Sequence, residues 1–120
     1  MVDYDLATAN QMLKTGRYVY VIFMCHLAIE KLLKAGVYHV SKQIPPKTHD
    51  LIFLIGLLKI NLPKDLLDFV GVINNAAIVT RYPDDLSRLV ASYPKVIAKE
   101  YLTNAKRVIL WTKKELGLKK

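Results

Sequence analysis

One long segment, from about Arg17 to about Val40, constrains the fold of this chain more than any other part of the sequence. The first half of the segment is apolar nearly all round, with an unbroken run of eight residues from Tyr18 to Cys25. That run is too short for a membrane span, which needs about 20 apolar residues. The segment therefore predicts a helix that is either the centre of a bundle or a subunit interface. Its apolar residues recur at the spacing of one helix face, at Val21, Cys25, Ala28, Ile29, Leu32, Leu33 and Gly36.

Apolar stripes at helical spacing predict four more helices around this one. No segment alternates between apolar and polar residues as a half-buried strand does. The prediction is an all-α protein with one domain, residues 1–120, folded as a single up-and-down bundle of about five helices. We expect the four helices to begin after Asp3 or Asp5, after Thr48 or Asp50, at Pro63 and at Pro94, and the last to end at Gly117. The stripe of the fourth helix is Leu66, Leu67, Val70, Ile73, Asn74, Ala77 and Ile78.

The positive charge of the chain is concentrated at its end. The 120 residues carry a formal net charge of +8, and residues 95–120 alone hold 8 basic against 2 acidic side chains. Such a balance favours partners that bear phosphate or acidic groups. A solvated helix with a basic last turn has the same composition, because cations suit the negative end of the helix dipole. Both interpretations stay open.

Composition and motifs exclude several classes of protein. A single cysteine, Cys25, allows no internal disulfide and no cysteine-based zinc site. The glycines form no dinucleotide or phosphate loop, and the His-Glu-x-x-His pattern of zinc proteases is missing from the sequence. We therefore expect no metal and no cofactor. The first residues, Met1 to Asp5, are acidic where an export signal is basic, so we expect a cytoplasmic protein without a membrane anchor.

A first polar cluster lies in the second half of the long helix and consists of His26, Glu30, Lys31 and Lys34. A spacing of four residues places His26, Glu30 and Lys34 on one helix face, where Glu30 and Lys34 form a favourable pair. The cluster is either part of a ligand site or a helix face that turns toward solvent. The sequence leaves both interpretations open.

A second polar cluster is the turn from Arg81 to Asp85, where Pro83 disfavours helix at Tyr82. The guanidinium of Arg81 offers a planar fork to a phosphate, and Tyr82 offers a face on which a base can stack. The alternative is an ion pair between Arg81 and a following aspartate that fixes the start of the last helix.

Five groups of residues occur in a characteristic order along residues 3–116. They are Asp5-x-x-Thr8-Ala9 with Arg17-Tyr18; Phe23-x-x-His26-x-Ala28-x-Glu30-Lys31-x-Leu33-Lys34-Ala35; Pro45-Pro46-x-Thr48-His49-Asp50-Leu51; Arg81-Tyr82-Pro83-Asp84; and Ala105-Lys106-Arg107-x-Ile109-x-Trp111. Together they resemble the HEPN domain family. The resemblance implies a helical bundle, often a homodimer, in a bacterial or archaeal cytoplasm. It also implies nucleotide binding and a partner, a minimal nucleotidyltransferase encoded beside the chain.

Other branches of the HEPN family are RNA-cleaving toxins, in which four to six residues separate a catalytic Arg from a following His. This chain departs from that signature, because no His stands at positions 86–88 after Arg81. The general acid and base of RNA cleavage is then missing. Tyr82 and Asp84 are poor substitutes, since neither side chain normally titrates near neutral pH.

The preferred hypothesis is a noncatalytic nucleotide- or substrate-binding module that acts with a nucleotidyltransferase, with ATP or GTP as the candidate nucleotide. Two alternatives are a metal-independent ribonuclease or toxin with a site at Arg81, and a purely structural module for dimerisation or interaction. Sequence-specific nucleic-acid binding is not expected, because the aromatic residues form no stacking platform. The predicted phosphate- and nucleotide-binding residues are Arg81, Tyr82, Asp84, Lys31 and Lys34, with His26, Glu30, His49 and Asp50 as supporting polar residues.

Overall fold

The computed structural model describes residues 2–81 and 93–117, which are largely helical and contain no strand. The prediction of an all-α bundle of about five helices is confirmed. The helices are α1 (Val2–Lys14), α2 (Tyr18–Ser41), α3 (Leu51–Leu58), α4 (Lys64–Arg81) and α5 (Lys95–Leu116).

α2 is the centre of the bundle, because each of the other four helices packs against it. In its apolar first half, Val21, Ile22 and Cys25 have no exposed surface. The alternative prediction, that this half of α2 forms a subunit interface, is therefore wrong for these side chains, which pack within their own chain. Neither α2 nor another helix of the described ranges combines the length and the hydropathy that crossing a bilayer requires.

The connection from α2 to α3, residues 42–50, carries the chain back along α2. It ends beside the middle of α2, where His49 contacts the Glu30 carboxylate. At the other end of α3, a Leu58 methyl carbon lies 3.4 Å from the position that a Cβ on Gly36 would occupy. α3 therefore runs in the same direction as the second half of α2, and its first residue lies at the level of Glu30.

Several helix ends follow the local signals of the sequence. Asp50 is the N-cap of α3, because its carboxylate accepts hydrogen bonds from the backbone N–H groups of Ile52 (3.0 Å) and Phe53 (3.3 Å). Pro63 and Pro94 directly precede α4 and α5, one residue before the helices begin. The fixed φ of proline suits the first turn, and its missing N–H is not needed there.

The predicted start of α1 is wrong. Asp3 and Asp5 lie in the first turn of a helix that already begins at Val2, so neither of them precedes it as a cap. Asp5 is buried instead, and its Oδ2 lies 2.9 Å from the Nζ of Lys31 on α2. This ion pair links α1 to α2, the central helix of the bundle.

Candidate binding site around Glu30

Glu30 is a buried carboxylate with three nitrogen-bearing neighbours. Its side chain is only 6% exposed. Its Oε1 lies 2.8 Å from Nδ1 of His49 and 3.8 Å from Nδ1 of His26, and its Oε2 accepts a hydrogen bond of 3.1 Å from Nζ of Lys34. We call these four residues the Glu30 cluster. It joins three of the predicted site residues of α2 to His49, which precedes α3.

Two features of the sequence build the Glu30 cluster. Within α2, spacings of four residues place His26, Glu30 and Lys34 on one face. His49 arrives from outside the helix, because the 42–50 connection returns along α2. Asp50 then caps α3 directly after His49, so the start of that helix and the position of the imidazole are fixed together.

The Glu30 carboxylate is held in its ionised form. Burial alone raises the pKa of a carboxyl, but the hydrogen bonds from His49 and Lys34 more than offset it, so the pKa of Glu30 lies below its ordinary value. An ionised carboxylate only accepts hydrogen bonds. The hydrogen on Nδ1 of His49 is therefore assigned from this contact. The His49 side chain is 64% exposed, so its ring is accessible to a ligand from solvent.

The interpretation of this helix face as solvent-facing is wrong for two of its residues. Taken as whole residues, His26 is 2% exposed and Glu30 is 5% exposed. Lys34 is the intermediate member of the face, with 26% of its side chain exposed. These polar side chains of α2 therefore lie mostly inside the bundle. The Glu30 cluster reaches solvent only through Lys34 and through His49, which precedes α3.

Lys31, the other predicted cation of α2, does not belong to the Glu30 cluster. It pairs with the buried Asp5 of α1 at 2.9 Å. Each of the two lysines is therefore bound to a carboxylate of its own, Lys31 to Asp5 and Lys34 to Glu30. The two lysines are neighbours on α2, but the positive charge of each is neutralised by its own carboxylate.

Asn74 on α4 completes the start of α3 and was not among the predicted site residues. Its Oδ1 accepts a hydrogen bond of 3.0 Å from the backbone N–H of Leu51, and its Nδ2 donates one of 3.1 Å to Oδ1 of Asp50. The one sequence signal for this role is an amide side chain in an otherwise apolar stripe of α4. A residue of that kind needs polar partners inside the bundle.

Arg81 is the last residue of α4, and its side chain lies outside the described part of the structure, as do Tyr82 and Asp84 entirely. The backbone places Arg81 seven residues after Asn74. Seven residues of helix bring a position back to nearly the same face, about 10.5 Å further along the axis. α4 therefore extends beyond the start of α3, and the backbone position of Arg81 lies on nearly the same face of α4 as Asn74.

The described side chains contain no group of three His, Cys, Asp or Glu residues that could hold a metal ion. The one cysteine has no accessible thiol. Burial raises the pKa of Cys25 to about 12, against a smaller lowering by the charge of Lys106. The Glu30 cluster can offer a ligand hydrogen bonds from two groups that Glu30 holds in place, the Lys34 ammonium and the accessible His49 imidazole.

Comparisons with known proteins agree with this architecture. The family model of the HEPN domain matches residues 3–116. The fold is similar to the crystal structure of TT1696 from Thermus thermophilus, with a TM-score of 0.80, 24% identity, and coverage of 95% of this chain and 91% of that one. It is also similar to ST0689, an archaeal HEPN homologue, with a TM-score of 0.76, 20% identity, and coverage of 96% and 91%. No curated protein matches significantly. The family model spans nearly the whole chain, and the protein therefore belongs to the HEPN domain family.

Proposed function

We propose that this HEPN chain is a noncatalytic binding module for a nucleotide such as ATP or GTP and that it acts with a partner nucleotidyltransferase. The observation that carries the proposal is the Glu30 cluster, in which a buried carboxylate holds the Lys34 ammonium and the accessible His49 imidazole in place. An ammonium has three N–H donors, and only one of them is bound to Glu30. Donors that are already positioned suit the oxygens of a phosphate.

The charge of this region decides which further residue the proposed site needs. Each of the two ion pairs of α2 joins one lysine to one carboxylate, so the two pairs together contribute no net charge. A nucleotide phosphate is strongly anionic and requires an additional cation. In the proposal this cation is Arg81, with Tyr82 as a face for the base and Asp84 shaping the turn. Its support is the position of Arg81 on α4, beyond the Asn74 contact with the start of α3.

Calorimetric titration of ATP and GTP into the protein tests the nucleotide part of the proposal, at about 0.15 M salt. We expect saturable binding of one nucleotide per chain, with affinity reduced about tenfold or more in Arg81→Ala, because a charge-assisted phosphate contact is lost. Arg107→Ala is the matched control. Its guanidinium is bound to Asp65 at 2.8 Å, between α5 and α4, so its loss should leave nucleotide affinity unchanged.

Two results would contradict this part of the proposal. One is the absence of saturable heat with either nucleotide. The other is an equal affinity in wild type, Arg81→Ala and Arg107→Ala, which would show that Arg81 is not the phosphate ligand. A general loss of affinity in both variants would indicate nonspecific attraction to the +8 chain rather than a site.

The partner part of the proposal is tested separately. A reading frame next to the gene should encode a small nucleotidyltransferase with a Gly-Ser and an Asp-x-Asp pattern. Coexpressed with a tag on one protein only, the two should purify together at a fixed ratio. If the frame is present and the proteins elute apart at physiological salt, the partnership is wrong, whatever the result with nucleotides.

One observation favours the ribonuclease alternative. The carboxylate of Glu30 orients the accessible His49 ring, and a carboxylate-oriented imidazole is a common general acid or base. This alternative predicts metal-independent RNA cleavage by the purified protein, abolished in His49→Gln and in Arg81→Ala. RNA that stays intact with the wild-type protein, with and without added metal, would eliminate it.

A further inference from the structure

The positive charge of α5 is only partly used inside the chain. Two of the six cations of this helix are bound to aspartates of other helices. Arg107 lies 2.8 Å from Asp65 of α4, and Lys113 lies 3.5 Å from Asp3 of α1. The other four form no ion pair with a residue of the described ranges, and they are Lys95, Lys99, Lys106 and Lys114. Most of the charge of α5 is therefore left uncompensated by the described part of the fold.

The helix dipole accounts for only two of the six cations. Positive side chains suit the last turn of a helix, and the basic residues there are Lys113 and Lys114. Lys95 lies in the first turn, where a positive charge opposes the dipole. Lys99 and Lys106 lie between the two end turns, to which the effect of the dipole is confined. The dipole therefore leaves three lysines of α5 unexplained.

Besides its buried face, α5 has an exposed stripe with a repeat of seven residues. Its members are separated by three or four residues in turn and are all exposed: Val96, Lys99, Thr103, Lys106 and Leu110. We call these five residues the α5 stripe. Val96 is 66% exposed and Leu110 is 56% exposed, about 21 Å apart along the helix axis. The α5 stripe thus has an apolar residue at each end and two cations between them.

The surface beside the first half of the α5 stripe is concave. A depression of about 460 Å³ opens to solvent there, and the described side chains that line it are Val96, Lys99, Glu100, Thr103 and Asn104. Three of these residues belong to the α5 stripe. This part of the stripe can therefore receive the side chains of another molecule.

α1 lies along the other side of the α5 stripe and runs in the opposite direction to α5. The positive charge of Lys106 acts on the Cys25 thiol, and Leu116 lies 2.7 Å from the position of a Cβ on Gly36. These two pairs follow the same order along α5 and α2, so the two helices are parallel. Only residues 15–17 connect α1 to α2, so α1 is antiparallel to both.

Lys14 of α1 adds a further cation beside the α5 stripe. α1 and α5 are joined at Asp3 and Lys113, and Lys14 follows Asp3 by eleven residues, or three turns, on the same face. In the antiparallel arrangement it lies at about the level of position 102, between Lys99 and Lys106. Lys14 is exposed and forms no ion pair with another described residue. The crevice between α1 and α5 is therefore positively charged on both sides.

Charge indicates an acidic occupant for this surface. Four unpaired lysines border it, Lys14, Lys95, Lys99 and Lys106, and the single negative charge of Glu100 does not balance them. A second copy of the chain would bring the same cations and a net charge of +8, so the two copies would repel each other here. The occupant is therefore a different molecule that carries several negative charges.

The apolar ends of the α5 stripe distinguish among acidic occupants. A nucleic acid would leave Val96 and Leu110 without apolar contact, and the stripe offers no aromatic ring on which a base could stack. A helix with its own seven-residue repeat can bury both residues and place Asp or Glu side chains against Lys99 and Lys106. A shared repeat of seven residues keeps two helices in contact along their length. The pattern therefore favours an acidic amphipathic helix.

We propose that the α5 stripe, with Lys14 beside it, binds an acidic amphipathic helix of a partner protein, whose apolar side chains pack on Val96 and Leu110 and whose carboxylates bind Lys99 and Lys106. No residue of this surface belongs to the proposed nucleotide site. The proposal therefore holds or fails independently of nucleotide binding and of whether the partner is a nucleotidyltransferase.

The test is fluorescence anisotropy of a labelled synthetic peptide with the full chain, at about 0.15 M salt. The peptide is a helix of three heptads with two leucines fourteen residues apart and three glutamates between them on the same face. We expect saturable binding of one peptide per chain. A peptide with glutamines in place of the glutamates, and one with the leucines moved to the opposite face, should each bind about tenfold more weakly or worse.

Charge reversal on the α5 stripe gives the matched comparison in the protein. Lys99→Glu and Lys106→Glu should each raise the peptide Kd about tenfold or more, because like charges then face the glutamates. Lys47→Glu is the control. Lys47 is an exposed lysine of the 42–50 connection, and its reversal changes the net charge equally while leaving α5 intact. Its peptide Kd should equal that of wild type.

Leu110→Ser separates a docked helix from general attraction to the basic surface. Leu110 is exposed, so the substitution should leave the melting temperature nearly unchanged, yet raise the peptide Kd about threefold or more. The comparison probe is a single-stranded RNA of about 20 nucleotides, whose attraction to the chain should fall steeply with salt and be the same in wild type and Leu110→Ser.

Three results would overturn the proposal. One is the absence of saturable peptide binding by the wild-type chain. Another is equal weakening in Lys106→Glu and Lys47→Glu, since net charge alone would then control binding. The third is RNA that binds more tightly than the peptide while Leu110→Ser changes neither affinity, which would make the α5 stripe a surface for polyanions in general.

Discussion

His49 and Glu30 are nineteen residues apart in the sequence, and His49 Nδ1 lies 2.8 Å from Glu30 Oε1 in the structure. This contact closes the 42–50 connection onto the middle of α2 and sets the level at which α3 begins. It also leaves a buried carboxylate ionised and an imidazole ring exposed to solvent. The ionised carboxylate contributes to the stability of the fold, and the exposed imidazole is available for binding.

Glu30→Gln should lower the free energy of unfolding at pH 7 by about 1–3 kcal/mol, because the hydrogen bonds from His49 and Lys34 lose their charged acceptor. The folded-state pKa of Glu30 lies below its ordinary value of 4.5. Its contribution to stability is therefore complete above about pH 4.5 and is lost as the pH falls through the lower folded pKa. Urea unfolding at a series of pH values measures this dependence.

The difference between wild type and Glu30→Gln should thus shrink toward zero in acid. Glu100→Gln on α5 is the control, since Glu100 forms no ion pair with another described residue, and it should change stability little at any pH. A difference between wild type and Glu30→Gln that stayed constant from pH 7 to pH 3 would show that Glu30 is not held ionised by its neighbours.

Asp50 and Asn74 should behave as one unit at the start of α3. Each alanine substitution removes hydrogen bonds to backbone N–H groups and should cost about 1 kcal/mol. The double variant should cost less than the sum, because the bond between the two side chains is lost only once. Asp50→Asn keeps an acceptor at the cap and should be nearly neutral. Strict additivity in denaturant unfolding would contradict this coupling.

Cys25 should be inert in the folded protein. Its thiol is buried, and burial raises its pKa to about 12, so almost no thiolate is present at pH 8. We expect a disulfide reagent to label the native chain only as fast as the chain unfolds, and the urea-unfolded chain at the rate of a free thiol. Rapid labelling without denaturant would mean that α2 is not the closed centre of the bundle.

Local signals in the sequence explain why the helices could be predicted. Four residues act within one turn of a helix end, so the sequence alone predicts their effect: Asp50, Pro63, Pro94 and Gly117. The error at Asp5 has a tertiary cause, because its carboxylate lies inside α1 and is used to bind Lys31. A cap and a buried ion pair use the same residue type, and only the fold distinguishes them.

The candidate site was predictable only where one helix builds it. The spacing of Glu30 and Lys34 gives their contact directly. The approach of His49 depends on the path of the 42–50 connection, which no periodicity encodes. The role of Asn74 depends on the packing of α4 beside α3. The lysines were expected to add positive charge, and their compensation by Asp5 and Glu30 is likewise a tertiary fact.

The most direct test of the binding proposal is to locate the nucleotide on the protein. Isotope-labelled chain would be titrated with ATP up to about 1 mM, and the backbone amide signals followed by nuclear magnetic resonance. The proposal predicts saturating shifts that centre on Lys34, His49 and Arg81 and that disappear in Arg81→Ala. The absence of saturating shifts, or shifts confined to the exposed basic face of α5 around Lys99, would contradict it.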